Sequence, residues 1–282
     1  MIVGLDSGEP RDSFVEQVFS PYFAGMKTTF SIADISYEAD LQQGHDLSLA
    51  VALQGPRAWY VADPKIEPVM TERFTGSVAR GGAVNFYDVC FNPHGHGTHT
   101  ECLGHITPEK ESVNDLLKSF MLTAQLITIE PATLSSDRSE WVRAGDRVIL
   151  PEQLAKAMGK APFQALIVRT LPNAESRRKK DYSNTNPAYF LPESMDWLNS
   201  FGIEHLLTDL PSVDREEDGG RLEAHHRFWN VPQNPQKHKT ITELIYAPHH
   251  VADGTYLLNL QVAALENDAA PSRPVIYPAQ AI

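Results

Sequence analysis

Four of the chain's eleven histidines fall within Asn92–Ile106, NPHGHGTHTECLGHI: His94, His96, His99 and His105. Glu101 and Cys102 sit among them, and Gly95, Gly97 and Gly104 supply the backbone freedom of a shaped loop. Neutral imidazole and carboxylate are the ligands that a borderline divalent cation such as zinc or manganese takes. Such a cation lowers the pKa of bound water from 15.7 to about 7, which makes a nucleophile at neutral pH. Metal-assisted hydrolysis is therefore the chemistry this stretch predicts. A competing chemistry, thiol attack by Cys102 with His105 as base, uses residues of the same loop.

GTHTECLGH resembles the core of the cyclase family of metal hydrolases, which includes bacterial kynurenine formamidases and isatin hydrolases. The family motif reads H-x-G-T-H-x-D-x-x-x-H. Gly97, Thr98, His99 and His105 match it. Two positions depart. The motif's Asp is Glu101, and its first His falls on Gly95, with His94 and His96 one residue to either side. His94 is preferred, and a longer glutamate arm suits a shifted loop. The resemblance implies that His94, His99 and Glu101 bind metal and that His105 protonates the leaving nitrogen, a role imidazole suits because it titrates near neutrality. It also reads Cys102 as a small packing residue, since the family does not use that position.

The resemblance carries the second half of the site into the C-terminal part of the chain. Leu210-Pro211-Ser212-Val213-Asp214 resembles the family's T-P-S-V/I-D segment. Ala224-His225 resembles the pair that places a ligand, with His226 as runner-up; on a helix the two point about 100° apart. Glu243 in TITEL matches the bridging glutamate. An ionised carboxylate in an apolar strand needs a partner, either a cation or an arginine. Zinc or manganese, one ion or two, remain open. Trp59 and Tyr60 are candidate substrate-binding walls, and core aromatics on the alternative. His249-His250 read as a solvated turn, and Asp209 and Asp214 as turn-holding residues.

These residues need elements to position them. β-branched and aromatic patterning predicts strands over 28–35, 47–53, 86–91, 122–129, 164–171, 203–210 and 240–244. Apolar residues at helical spacing, with proline near the start and glycine past the end, predict helices over 151–158 and 191–201. Ser112 is placed to cap another, with Val113, Leu116, Leu117 and Phe120 on its inner face. Strands followed by strand–helix alternation predict an α/β fold with a mixed sheet. The resemblance sharpens this to a single domain of swivelling β/β/α architecture over 26–282, with residues 1–25 an extension or arm.

The 282 residues are 42% hydrophobic and 21% charged, an ordinary globular balance. The net charge of −12 argues against nucleic acid and anionic membrane as partners. The basic run Arg177–Lys180 reads as a solvated loop. Two cysteines are too few for a disulfide scaffold, and no run reaches the roughly 18 apolar residues of a membrane span, so a cytoplasmic protein is expected. The leading expectation is a metal-dependent amidohydrolase that cleaves a C–N bond of a small amide or cyclic imide. A polyketide-type cyclase or dehydratase and a non-catalytic metal-binding relative are the alternatives. The resemblance also implies a homodimer or homotetramer.

Overall fold

A computed structural model describes residues 25–159 and 161–282. The expected arm at 1–25 lies almost wholly outside them. Strands β1 (Lys27–Ile32) and β2 (Ile35–Asp40) form a hairpin. The chain then passes through the histidine-rich loop into β3 (His99–Glu101) and the single turn α1 (Val113–Leu116). Strand β4 (Met121–Ile129), helix α2 (Pro151–Ala157), β5 (Ala165–Thr170), helix α3 (Pro192–Ser200), β6 (His205–Thr208), helix α4 (Glu223–Trp229) and β7 (Thr240–Glu243) follow in alternation. Strands β8 (Gly254–Asn259), β9 (Ala269–Pro271) and β10 (Val275–Ala281) complete the main sheet.

The sheet runs β1-β2-β10-β8-β4-β5-β6-β7-β3-β9, with short His45–Asp46 beside β10. Its centre, β4-β5-β6-β7, is parallel, and both flanks are antiparallel. Helical crossovers connect the parallel strands, as parallel pairing requires. Every residue of β5 is buried because both its faces are covered. Leu166 and Val168 face one core with Leu154, Met195, Leu198 and Phe228 from the helices. Ala165 and Ile167 face the other, with Leu47, Leu126, Tyr256 and Ile276. The result is the expected α/β domain built on one large mixed sheet.

Three expectations need correction. The stretch 28–35 is broken by a turn at Ala33, where φ is +50°, so its end belongs to the second arm of a hairpin. Residues 47–53 form no regular strand. Leu47 and Leu49 are buried, yet their backbone groups bond to scattered partners, Leu47 to Pro274 and Tyr246 and Leu49 to Thr98, so no ladder forms, and the segment fastens the histidine-rich loop. The helix after Ser112 stops at Leu116, because Phe120 must already accept a hydrogen bond from Leu260 as β4 begins. Phe120 is thereby exposed. The segment 86–91 does contain a strand, Tyr87–Cys90, but it pairs with Lys65–Pro68 outside the main sheet.

Candidate metal centre

The histidine-rich loop is fastened on both sides. Thr98 donates its hydroxyl to the carbonyl of Leu244 at 2.6 Å and accepts from the Leu49 amide at 2.7 Å. Gly97 has φ +68°, and any Cβ there would lie 2.6 Å from the Leu49 carbonyl oxygen, so only glycine fits. A Cβ at Gly95 would lie 2.7 Å from a methyl of Val61. A side chain at the position where the family motif has its first histidine would thus have to displace Val61 and crowd the Ala58 carbonyl at 3.3 Å. His96 cannot replace it: its Nδ1 accepts from the Asn92 amide at 2.9 Å and its Nε2 donates to the Ala62 carbonyl at 2.8 Å. His94 instead turns toward the carboxylates, with Nδ1 3.1 Å from Glu101 Oε2.

Strand register brings in the rest. β3 pairs with β7 so that His99 lies opposite Glu243 and Glu101 opposite Ile241. Alternation puts His99, Glu101 and Glu243 on one face of the sheet, and Thr100 and Thr242 on the other, joined at 2.7 Å. His99 Nε2 stands 3.4 Å from Glu243 Oε2. The loop after β6 places Asp214 beneath the start of α4. Its carboxylate accepts from the amides of Ala224 and His225 and binds His225 Nδ1 at 2.6 Å. That holds His225 Nε2 3.0 Å from Glu101 Oε1 and 3.9 Å from Glu243 Oε1. His226, one position on, points away and approaches only the Val231 carbonyl.

His105 completes the group, with Nε2 4.0 Å from Glu101 Oε2 and Nδ1 3.4 Å from Asp268 Oδ2. Three overlapping triplets bring ligand-type atoms within 4.8 Å of one another: His94–His99–Glu101, Glu101–His105–His225 and His94–His105–Asp268. Burial opposes the charge on Glu101, but the imidazoles of His105 and His225 outweigh it and hold the carboxyl well below its usual range. Burial and the neighbouring charge of Glu101 push Glu243 upward. Burial likewise opposes protonation of His94, yet Asp268 and Glu101 raise it to about 10.

The donor set fits a divalent cation. His99 Nε2 and Glu101 Oε2 are buried and make no well-aligned hydrogen bond, although Glu243 Oε2 stands 3.4 Å from the first and His94 Nδ1 3.1 Å from the second; a polar atom left so costs about 1–3 kcal/mol unless something else binds it. None of Glu101, Glu243, Asp214 and Asp268 pairs with a lysine or arginine among the described residues. Four carboxylates and four imidazoles of nitrogen–oxygen type suit zinc or manganese alike.

A cavity of about 730 Å³ opens onto these residues, with Trp59, Trp141, Val61 and Leu222 among its apolar walls and His94, His105, His225 and Glu243 on its floor. Trp59 and Tyr60 are consecutive left-handed residues, φ +62° and +59°, a strained geometry of roughly 1–2 kcal/mol per residue. Trp59 lines the cavity. Tyr60 is not among the lining residues: it is exposed, and its hydroxyl donates to Glu216 at 3.0 Å. The turn sends the two rings to different surroundings, Trp59 to the cavity and Tyr60 outward to Glu216, which also borders the cavity.

Cys102 is fully buried, and burial together with Asp268 and Glu101 pushes its thiol up to about 12, which disfavours thiolate chemistry. His249 and His250 are exposed in a turn. Arg177 does not lie in a solvated loop: it bonds the buried Asp209 at 2.8 Å, and the same carboxylate holds Thr170. Asp214 does more than hold a turn, since it orients His225. Trp141, Asp268 and Gly219 were not signalled by any local pattern. Asp268 lies in an unremarkable ENDAAP segment, and only the pairing of β9 with β3 brings it to the loop.

The Cyclase family model matches residues 34–215. His225 and Glu243 lie beyond that stretch. A comparison with curated proteins finds no match. Among solved structures, isatin hydrolase A from Labrenzia aggregata, bound to benzyl benzoate, aligns over 83% of this chain and 93% of its own at 13% identity, with a TM-score of 0.58. Isatin hydrolase A from Ralstonia solanacearum covers 83% and 91% at 12% identity and TM-score 0.57. A metal-dependent hydrolase from Bacillus stearothermophilus, so described by prediction, covers 83% and 97% at 15% identity and TM-score 0.55. At such identities the likeness is one of fold. With its motif loop, its mixed sheet and a family match over most of its length, the chain belongs to the cyclase family.

Proposed function

We propose that the protein is a metal-dependent amidohydrolase that opens a C–N bond of a small aromatic amide or cyclic imide. The observation that carries this reading is the pair of buried atoms without a well-aligned hydrogen bond, His99 Nε2 and Glu101 Oε2, beside a cavity with indole walls. His94, His99, Glu101, His225 and Glu243 would hold zinc or manganese, as one ion or two. When bound, the cation supplies an activated water and polarises the carbonyl under attack. Asp214 keeps His225 in one tautomer and orientation. His105 reaches the cavity and is placed to give a proton to the departing nitrogen. Trp59 and Trp141 exclude water and offer flat apolar surface to an aromatic substrate. The similarity in fold to isatin hydrolases supports a cyclic imide or lactam as the first substrates to try.

The test is elemental analysis of protein purified without chelator, followed by an amide and imide hydrolysis screen with and without the recovered metal. One or two equivalents of zinc or manganese and chelator-sensitive turnover are expected. Metal without turnover on any substrate would favour a non-catalytic relative, and no metal even after reconstitution would sink the reading.

We also propose a homo-oligomer. The hairpins between residues 65 and 90 leave Ile66, Met70, Phe74, Val84, Phe86 and Val89 exposed, apolar surface that a second copy of the chain could cover. Light scattering during size-exclusion chromatography should give a dimer or tetramer mass. Among the described residues no helix is long and apolar enough to cross a membrane. The two cysteines are free, in keeping with a cytoplasmic location.

A further inference from the structure

We propose that Asp268 is a positioning residue that makes His94 a ligand through Nδ1, and that this arrangement replaces the first histidine of the family motif. The inference rests on the cation-binding reading and extends it to a residue outside the motif.

His94 Nε2 lies 2.7 Å from Asp268 Oδ2, an acceptor that commits that nitrogen as the donor, so Nδ1 is the nitrogen whose proton a cation would displace. Nδ1 is the atom that faces Glu101, at 3.1 Å. The same construction occurs on the other side of Glu101 with the ring reversed: Asp214 takes His225 Nδ1, and Nε2 faces Glu101 Oε1. Each oxygen of Glu101 thus meets one imidazole nitrogen, and each imidazole is backed by an aspartate. A carboxylate behind a ligating histidine is the usual device for fixing its tautomer and direction.

Asp268 is rigidly placed. Its carbonyl accepts from the Cys102 amide at 3.0 Å, and the next residue, Ala269, pairs with Glu101 across β9 and β3. Its neighbour Asn267 bonds the Val113 amide through its own carbonyl. The carboxylate is therefore held from the same strand that carries the ligands.

This account joins the two departures from the motif. A side chain at Gly95 would press on Val61, and the imidazole comes instead from His94, one residue earlier. Nδ1 sits nearer the backbone than Nε2 and reaches less far into the site. Glutamate at 101 has one more methylene than the motif's aspartate and extends to meet it. The shifted histidine, the longer carboxylate and Asp268 form one compensating set.

The experiment uses full-length protein loaded with zinc or cobalt. Histidine side-chain ¹H–¹⁵N spectra of the zinc protein, with His94→Ala for assignment, should show His94 protonated at Nε2 and bound through Nδ1. A His94 ring protonated at Nδ1 would overturn the proposal without any change at Asp268. Competition titration of Asp268→Ala should give a metal affinity about 10–100-fold lower, with Asp268→Asn between it and wild type. The visible absorption of the cobalt-loaded Asp268→Ala protein should also change. Unchanged affinity and an unchanged cobalt spectrum would overturn this inference alone. Wild type that takes up no cation would overturn both this inference and the hydrolase reading.

Discussion

The two aspartate–histidine arms that meet Glu101 are chemically alike and structurally unlike. Asp214 and His225 are joined within eleven residues, and Asp214 also binds the first amides of α4, so helix and ligand are placed by one side chain. Asp268 and His94 are 174 residues apart and meet only because β9 lies along β3 at the end of the sheet. One arm is local and bound to a helix terminus. The other depends on register at a sheet edge, where a strand has a neighbour on one side only. A common ligand can thus be served by a contact local in sequence and by one that depends on the pairing of distant strands.

The largest effect comes from removing what the arms share. Glu101→Gln leaves His94 and His225 without their common carboxylate, and we expect metal content to fall to near zero and turnover to drop on the order of 10³-fold or more. Elemental analysis and a hydrolysis assay on the same preparation check this. Full metal occupancy in the variant would show that Glu101 is not the hinge of the centre.

Acid should loosen the half of the sheet that carries the local arm. His205 opens β6 and accepts or donates at 2.9 Å with Thr240, which opens β7. Burial, helped by the positive charges of His238 and Lys239, lowers its pKa from the usual 6.5 to about 4. Above about pH 6.5 the ring is neutral folded or unfolded, and its contribution is fully present. Between 6.5 and about 4 the unfolded chain takes up a proton that the folded one refuses, so stability falls as pH falls, and the loss levels off below about 4. At about 1.4 kcal/mol per pH unit the loss is at most about 3.5 kcal/mol. Denaturant unfolding at pH 7 and pH 4.5 should show a larger difference for wild type than for His205→Gln. Equal differences would mean that His205 is not buried neutral.

Asp214→Ala separates the two services of the local arm. Metal affinity should fall about 10–100-fold. Stability should fall by about 1 kcal/mol as well, because the start of α4 loses its acceptor. Asp268→Ala should match the first effect without the second. Equal destabilisation by both would remove the contrast between the arms.

That contrast also marks what the sequence could reveal. The histidine-rich loop was legible because ligand types and glycines crowd into fifteen residues, and Pro192 and Gly202 bracket α3 as expected. Glu243 stood out as one carboxylate in an apolar strand. Asp268 did not, because its meaning lies in a strand pairing between distant segments. Tyr60 and Trp59 look alike in the sequence, and only two consecutive left-handed backbones separate their fates. The short α1 failed to extend because the demands of β4 override local periodicity. Patterns within one segment were readable, and those that need two segments side by side were not.

The finest test concerns the wall above both arms. Gly219 and Gly220 have φ of +70° and +74°, so alanine at either costs the same left-handed strain, about 1–2 kcal/mol. They differ in what surrounds them. A Cβ at 219 would lie 2.7 Å from Cζ2 of Trp141, whereas one at 220 meets nothing within 4 Å. Gly219→Ala must move the indole, and Gly220→Ala need not. If Trp141 holds the aromatic part of the substrate, the two variants should lose similar melting temperature while only Gly219→Ala raises KM, by about 3–10-fold, with kcat nearly kept, as expected when a contact equal in ground and transition state is weakened. The same KM for both would take Trp141 out of substrate recognition and leave Trp59 as the aromatic wall of the cavity.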